Sequence, residues 1–224
     1  MSKNLKFETT LAQSASCVRK PQQGRSVASL NRMFDAAMGL LQERGSDDFT
    51  LQEVSVIGKV SIGSIYYRFK NKDELVRELL FQGMHKMAEK EQDAINSLLE
   101  ECTNLADYMP RYVKAYSDIL KDHALLMRLA MRRAGMDPQA SSSGNEKMRK
   151  AMKISVDAVL NFQDEITGNA ALKASMVFQI IFASLARHLS LDTEDDSTLK
   201  QDWNELIEEL SAMTLSYLEN DIRY

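Results

Sequence analysis

Three helix-start signals fall within the 22 residues from Thr50 to Asn71, and they leave this stretch little conformational freedom. Thr50 and Glu53 in TLQE form a capping box, Ser61 can cap the segment after it, and Asn71 with Glu74 in NKDE launches another helix. Between the first two starts, Gly58 and Lys59 stop a helix that has run barely two turns. Only short helices joined by tight turns fit, which is the layout of a helix-turn-helix unit.

Composition points to an all-α chain. Nine glycines and three prolines interrupt 224 residues rich in Ala, Leu, Met, Glu and Lys, which are good helix formers. A hydrophobic share of 44% suffices to bury a core. Cys17 and Cys102 match no metal or redox spacing and no signal-peptide pattern opens the chain, so a cytoplasmic location is expected. The longest uncharged run, Ala174 to Ala186, would span about 20 Å as a helix against the roughly 30 Å of a bilayer core, so no membrane partner is expected. Charge is uneven. Residues 1–80 hold 12 Lys and Arg against 9 Asp and Glu, and the remainder 16 against 23. A positive front on an acidic chain suits a polyanion-binding module joined to something with a different task.

Along the chain, residues 1–24 show no apolar period and are expected to form a flexible basic arm. In SVASLNRMFDAAMGLLQERG, Leu30, Met33, Phe34, Ala37, Leu40 and Leu41 recur at helical spacing and Gly45 supplies a stop. The helix from Asn71 continues through Leu79, Leu80, Met84 and Met87. The expected organisation is a three-helix head at 25–75 on a larger α-helical bundle at 76–224. DPQASSSGN, Asp137–Asn145, reads as a surface loop with Ser143 and Glu146 capping the helix after it. DTEDD, Asp192–Asp196, reads as a solvated turn that caps the last helix.

The segment from Ser61 has an unusual outer face. At about 100° per residue, Ile65 and Phe69 point to one side with Ile62 and Tyr66 at its margin, while Gly63, Ser64, Tyr67 and Arg68 point away. A helix lying in a DNA major groove needs such a face: small residues allow close approach, hydroxyls contact base edges or phosphates, and Ile62 can meet a thymine methyl. Lys70 and Lys72 follow where sugar-phosphate backbones would pass, and Lys72 lies in the first turn of the next helix, whose free N–H groups attract phosphate.

The run TLQEVSVIGKVSIGSIYYRFKNKDEL resembles the DNA-binding region of the TetR family of bacterial transcriptional regulators, and the likeness extends back through Ala36, Ala37, Leu40 and Gly45. Its specific part is Val60, Ser61, Gly63, Ser64, Tyr66, Phe69 and Lys72. The resemblance implies that Ser61 to Arg68 is the recognition helix. It implies groove contacts from Ile62, Gly63, Ser64 and Tyr67, and phosphate contacts from Thr50, Tyr66 and Lys72. The family usually has Ala-Gly where this chain has Gly58-Lys59, so a lysine would occupy a left-handed turn at a cost of roughly 1 kcal/mol. Lys59 then becomes a further phosphate contact. Ser55 stands where Ala is usual.

One helix-turn-helix reads only a few base pairs, so a homodimer on a palindromic operator in double-stranded DNA is expected. The uncharged run in ALKASMVFQIIFASLARHL must meet the core on one side and a second surface on another, with Met176, Ile180, Ala183 and Ser184 as interface candidates. The final helix, read from Leu199 through Trp203, adds Leu206, Leu210, Met213 and Tyr217. A monomeric bundle with both helices buried is the competing arrangement. Met84, Met87, Tyr108, Tyr112, Tyr116, Met127, Met131, Phe162 and Phe178 form a soft aromatic set that suits either an effector pocket or a core.

His85 with Glu89 is half a metal site without a second half, and His123 and His188 are scattered. With no nucleophile elbow, phosphate loop or catalytic constellation, no enzyme, metal or cofactor is expected. The sequence thus reads as a DNA-binding transcriptional repressor released by a small hydrophobic or amphipathic effector. A same-fold architectural or cell-division regulator without an effector stays open, as does an all-helical enzyme or carrier with a basic docking head.

Overall fold

Helix formers broken by well-placed caps produce helices throughout, and no strand occurs among the described residues, 24–134, 138–190 and 202–221 of the computed structural model. The expected arm up to residue 23, Asp192–Asp196 and Leu199 lie outside them. The chain divides into two compact units, one up to Leu79 and one from Leu80 onward.

The first unit contains α1 (Gly24–Arg44), α2 (Leu51–Ile57), α3 (Ile62–Arg68) and the opening turns of α4 (Lys72–Glu101). Met33, Phe34, Ala37, Leu40 and Leu41 on α1 share a core with Leu51, Val54, Ile65, Phe69, Leu75, Val76 and Leu79. Fully burying one such side chain stabilises by about 1.5–3 kcal/mol, enough to hold α2 and α3, which at seven residues each would not form alone. α1 stops as expected: Gly45 takes φ +64 and its N–H returns to the Leu41 carbonyl at 2.9 Å. Where α2 ends, a Cβ on Gly58 would come within 2.8 Å of the Arg32 carbonyl oxygen, so the absence of a side chain is what lets α1 and α2 approach there.

The second unit holds the rest of α4 with α5 (Leu105–Asp122), α6 (Ala124–Ala134), α7 (Pro138–Val159), a 3-10 turn (Leu160–Glu165), α8 (Ala170–Ser190) and α9 (Trp203–Glu219). α5 is its centre, burying Leu105, Tyr108, Met109, Tyr112, Val113, Tyr116 and Leu120. Asn104 caps it by accepting from the Asp107 N–H at 2.8 Å, and Glu165 accepts from the Leu105 N–H at 3.0 Å.

Two boundaries differ from the sequence reading. Residues 138–145, expected as loop, are the start of α7, with Pro138 at the first helical position, where its missing N–H costs nothing. The last helix is capped by Asp202, which accepts from Asn204 and Glu205 N–H groups at 2.8 and 3.3 Å, instead of by DTEDD.

Counted from Ala170 to Leu189, α8 is long and apolar enough by length and composition to cross a membrane, since the uncharged run understates it by excluding Lys173 and Arg187. Its Ala174, Val177, Phe178, Ile181 and Leu185 nevertheless pack into the core. The buried Lys173 ammonium donates to the carbonyls of Leu218 at 3.3 Å and Asn220 at 2.7 Å, serving as a cationic cap on the C-terminus of α9. A helix placed this way is a core helix of the bundle.

Candidate nucleic-acid interface

The turn between α2 and α3 is fixed by short-range hydrogen bonds. Thr50 and Glu53 form the complete capping box: Glu53 N–H donates to Thr50 Oγ1 at 3.2 Å, and Thr50 N–H to Glu53 Oε2 at 2.7 Å. Gly58 N–H returns to the Val54 carbonyl, Lys59 adopts φ +48, and Val60 N–H reaches the Ser55 carbonyl at 3.1 Å. Ser55 Oγ then donates to the Val60 carbonyl at 2.6 Å. The serine that replaces the usual alanine thus clasps both sides of a turn whose left-handed residue is a lysine, and this offsets part of the roughly 1 kcal/mol strain.

On α3, Ser61 is the N-cap, accepting from Ser64 N–H at 3.1 Å, and the two hydroxyls lie 2.7 Å apart. Ile65 and Phe69 are fully buried behind them, as their spacing predicts. A Cβ at Gly63 would meet no described atom within 4 Å. Nothing in the packing of this unit therefore requires glycine at that position. Tyr66 and Tyr67 are 52% and 65% exposed, which is costly for rings this large unless a partner covers them.

Not every expected contact residue is free to serve. The Thr50 hydroxyl donates to Glu53 at 2.9 Å, and Glu53 is held at a pKa of about 2, first by its bond to Arg44 and then by Thr50. A phosphate approaching Thr50 would meet a fixed carboxylate. Lys72 Nζ donates to the Asp47 carbonyl at 2.8 Å and lies 5.7 Å from the centre of the Phe49 ring, so it ties α4 to the loop before α2. Arg68, read as pointing outward, reaches back to the Ser26 hydroxyl and, at 2.9 Å, the Ser26 carbonyl. Lys59 and Lys70 are exposed.

Sequence reasoning missed Val56 and Ile57, 76% and 54% exposed at the end of α2. They are the apolar residues left over once Leu51 and Val54 supply the buried face of a two-turn helix, and that surplus was the available signal.

In the second unit the predicted pocket residues do come together, as core. Tyr108, Tyr112, Tyr116, Met127 and Phe178 are buried, and Met84, Met87 and Phe162 pack against them. Met131 does not join them; it is 43% exposed in the last turn of α6, beyond the buried Leu126, Met127 and Leu129. The described grooves, each about 450 Å³, lie elsewhere, around Pro110 and Lys114 on the opposite face of α5. Of the interface candidates, Met176, Ile180, Ala183 and Met213 are exposed, Ser184, Leu206 and Tyr217 are half-buried, and Leu210 is not available because it is sunk in the core of its own chain. Leu172, 57% exposed, extends the α8 stripe and was missed. His85 and Glu89 pair at 3.4 Å.

Comparison with known proteins fits this geometry. The sequence pattern described as bacterial regulatory proteins of the tetR family matches residues 33–79, which contain α2, α3 and their turn. An HTH-type transcriptional regulator of Bacillus subtilis, YvkB, is 23% identical over 85% of this chain and 97% of its own. A fatty acid metabolism regulator protein of the same organism is 22% identical over 84% and 91%. Among solved structures, a putative TetR-family transcriptional regulator from Mesorhizobium loti superposes with a TM-score of 0.72 at 18% identity, covering 88% of this chain and 98% of that one. The fatty acid degradation regulator FadR from Bacillus halodurans gives 0.59 at 19% identity over 83% and 97%. Those likenesses establish the fold over both units, and residues 33–79, which hold the capped helix-turn-helix, carry the pattern of the tetR family of bacterial regulatory proteins, so this segment is similar to the DNA-binding part of transcriptional regulators.

Proposed function

We propose that the protein is a homodimeric repressor that reads a palindromic operator through α3 and is released by a small hydrophobic or amphipathic effector held in the second unit. The observation that carries the DNA-reading part is the outer face of α3, where Gly63 is unexplained by packing and two tyrosines stand exposed. Ile62, Gly63, Ser64 and Tyr67 are assigned to the groove, and Tyr66, Lys59, Lys70 and Ser61 to its phosphate margins. Thr50 and Lys72 join them only by giving up their present bonds to Glu53 and Asp47. The head comprises residues 25–75 and the effector-binding, dimerising body 76–224, and the protein works in the cytoplasm, where its operator lies.

Dimerisation is supported by the apolar stripe of Leu172, Met176, Ile180 and Ala183 on α8 together with Met213 on α9, too much exposed apolar surface to leave in water. An effector with an apolar body is supported by the methionine and aromatic set around α5 and by relatives named for fatty acid regulation. Its binding shifts the balance between DNA-competent and incompetent conformers by its differential affinity for the two. Footprinting on the DNA upstream of the protein's own gene tests the proposal. A protected palindrome, lost in Tyr67→Ala and Ser64→Ala while helix content is kept, is expected; salt-sensitive binding without a protected site refutes it.

A further inference from the structure

Glu91 lies on the core-facing stripe of α4, in step with Met84, Met87, Ile95 and Leu98, and is 3% exposed. Ser155 of α7 donates to its Oε1 at 2.8 Å, and no other described side chain donates to it. Beside it runs a column of rings. Tyr108 stacks on Tyr112 with centroids 5.7 Å apart, Tyr112 on Tyr116 at 5.8 Å, and Phe162 and Phe178 close the ends at 5.1 and 6.0 Å. The charge of an ionised Glu91 would be felt by all three tyrosines. Two of their hydroxyls, on Tyr108 and Tyr112, are buried without a hydrogen-bond partner.

A protein core has no packing use for a carboxylate and two idle hydroxyls. We infer that this cluster is a recognition site for an apolar cation, a protonated or quaternary amine on a hydrocarbon body, with Glu91 as its counter-ion and the tyrosine rings as its walls.

Burial holds the Glu91 carboxyl at a pKa of about 7, and no described Lys, Arg or His acts on it, so an arriving positive charge is what favours its ionised form. Aromatic faces attract the same charge. A fatty carboxylate would set like charges together unless one were neutralised, so this chain departs from what the names of its fatty-acid relatives suggest. In the present conformer the rings are close-packed, and the flexible side chains of Met84, Met87 and Met152, which border them, give way to admit the ligand.

The inference rests on the effector reading and names the head group such an effector carries. Calorimetry at pH 8 on the full-length protein, with decyltrimethylammonium and decanoate below their micelle concentrations, separates the two head groups on one hydrocarbon length. The cation is expected to bind at least tenfold more tightly than decanoate and to lose at least tenfold in Glu91→Gln, with circular dichroism unchanged. Equal or tighter binding of decanoate, no binding of the cation, or undiminished cation binding by a folded Glu91→Gln overturns the inference. A gel shift on the footprinted DNA separates the two readings. If the cation binds as expected yet leaves the DNA complex intact, the recognition site stands and release by effector falls.

Discussion

Replacing Glu91 by glutamine should make the protein more stable, by an amount that depends on pH. In an unfolded chain the carboxyl loses its proton near 4.5; burial in the second unit holds it to about 7. Between those values the folded protein keeps a proton that the unfolded chain has released, so stability falls as pH rises through the window and levels off above it. At about 1.4 kcal/mol per pKa unit the loss comes to about 3 kcal/mol. Glutamine has no proton to exchange and its side-chain oxygen can still accept from Ser155, which now donates to Glu91 at 2.8 Å.

The groups facing Glu91 do not confuse the window. Tyr108, Tyr112 and Tyr116 titrate far above it because they are desolvated, as does the buried Cys102 thiol behind Tyr108. Glu53 works in the opposite sense: its lowered pKa gives stability above 4.5 that is lost as pH falls toward 2, identically in both proteins. Urea denaturation of wild type and Glu91→Gln, at one protein concentration and at pH 4.5 to 8.5, is the assay. The stability difference should grow by about 3 kcal/mol in favour of the variant. Parallel curves across the window would show that the carboxyl is hydrated in the folded state, and the reasoning would fail.

Three further outcomes follow from the same coordinates. Gly58→Ala sets a Cβ 2.8 Å from the Arg32 carbonyl oxygen and 2.9 Å from that of Val54, both backbone atoms, and should destabilise the first unit by about 1–3 kcal/mol in a thermal melt. Lys59→Gly should relieve the left-handed strain and add about 1 kcal/mol, while reducing the slope of log DNA affinity against log salt by about 1 if the lysine meets a phosphate; an unchanged slope removes it from the interface. Ile180→Glu, on the exposed stripe of α8, should shift the mass measured by light scattering from dimer to monomer with helix content intact, and a persistent dimer would move the interface elsewhere.

Much of the DNA-binding head was legible because its determinants are local. Thr50 with Glu53, Ser61 with Ser64, and Asn71 with Glu74 are bonds across three residues, so the pattern of residue types is the structure. Stripe positions behaved the same way where a short helix has one buried side, as with Ile65 and Phe69. The reading failed where a residue's partner was remote. Leu210 satisfied the spacing for a dimer face equally well as a core position, and only the helices packed around it decided between them. An acidic residue in step with Met87 and Ile95 was a visible sign for Glu91, yet sequence could not say whether that side of α4 is covered.

By itself, then, the sequence determined the short helices of the head, their starts and stops, and a small hydroxyl-bearing face on α3, because those depend on hydrogen bonds and periodicities within a turn or two. Tertiary structure alone decided which charges are engaged. Arg68 meets Ser26 across 42 residues, Lys72 meets the Asp47 carbonyl across 25, Lys173 caps α9 across 45 and 47, and Glu91 meets Ser155 across 64. The cost of burying a charge is set by whatever surrounds it in space, and no local run of residues specifies that surrounding.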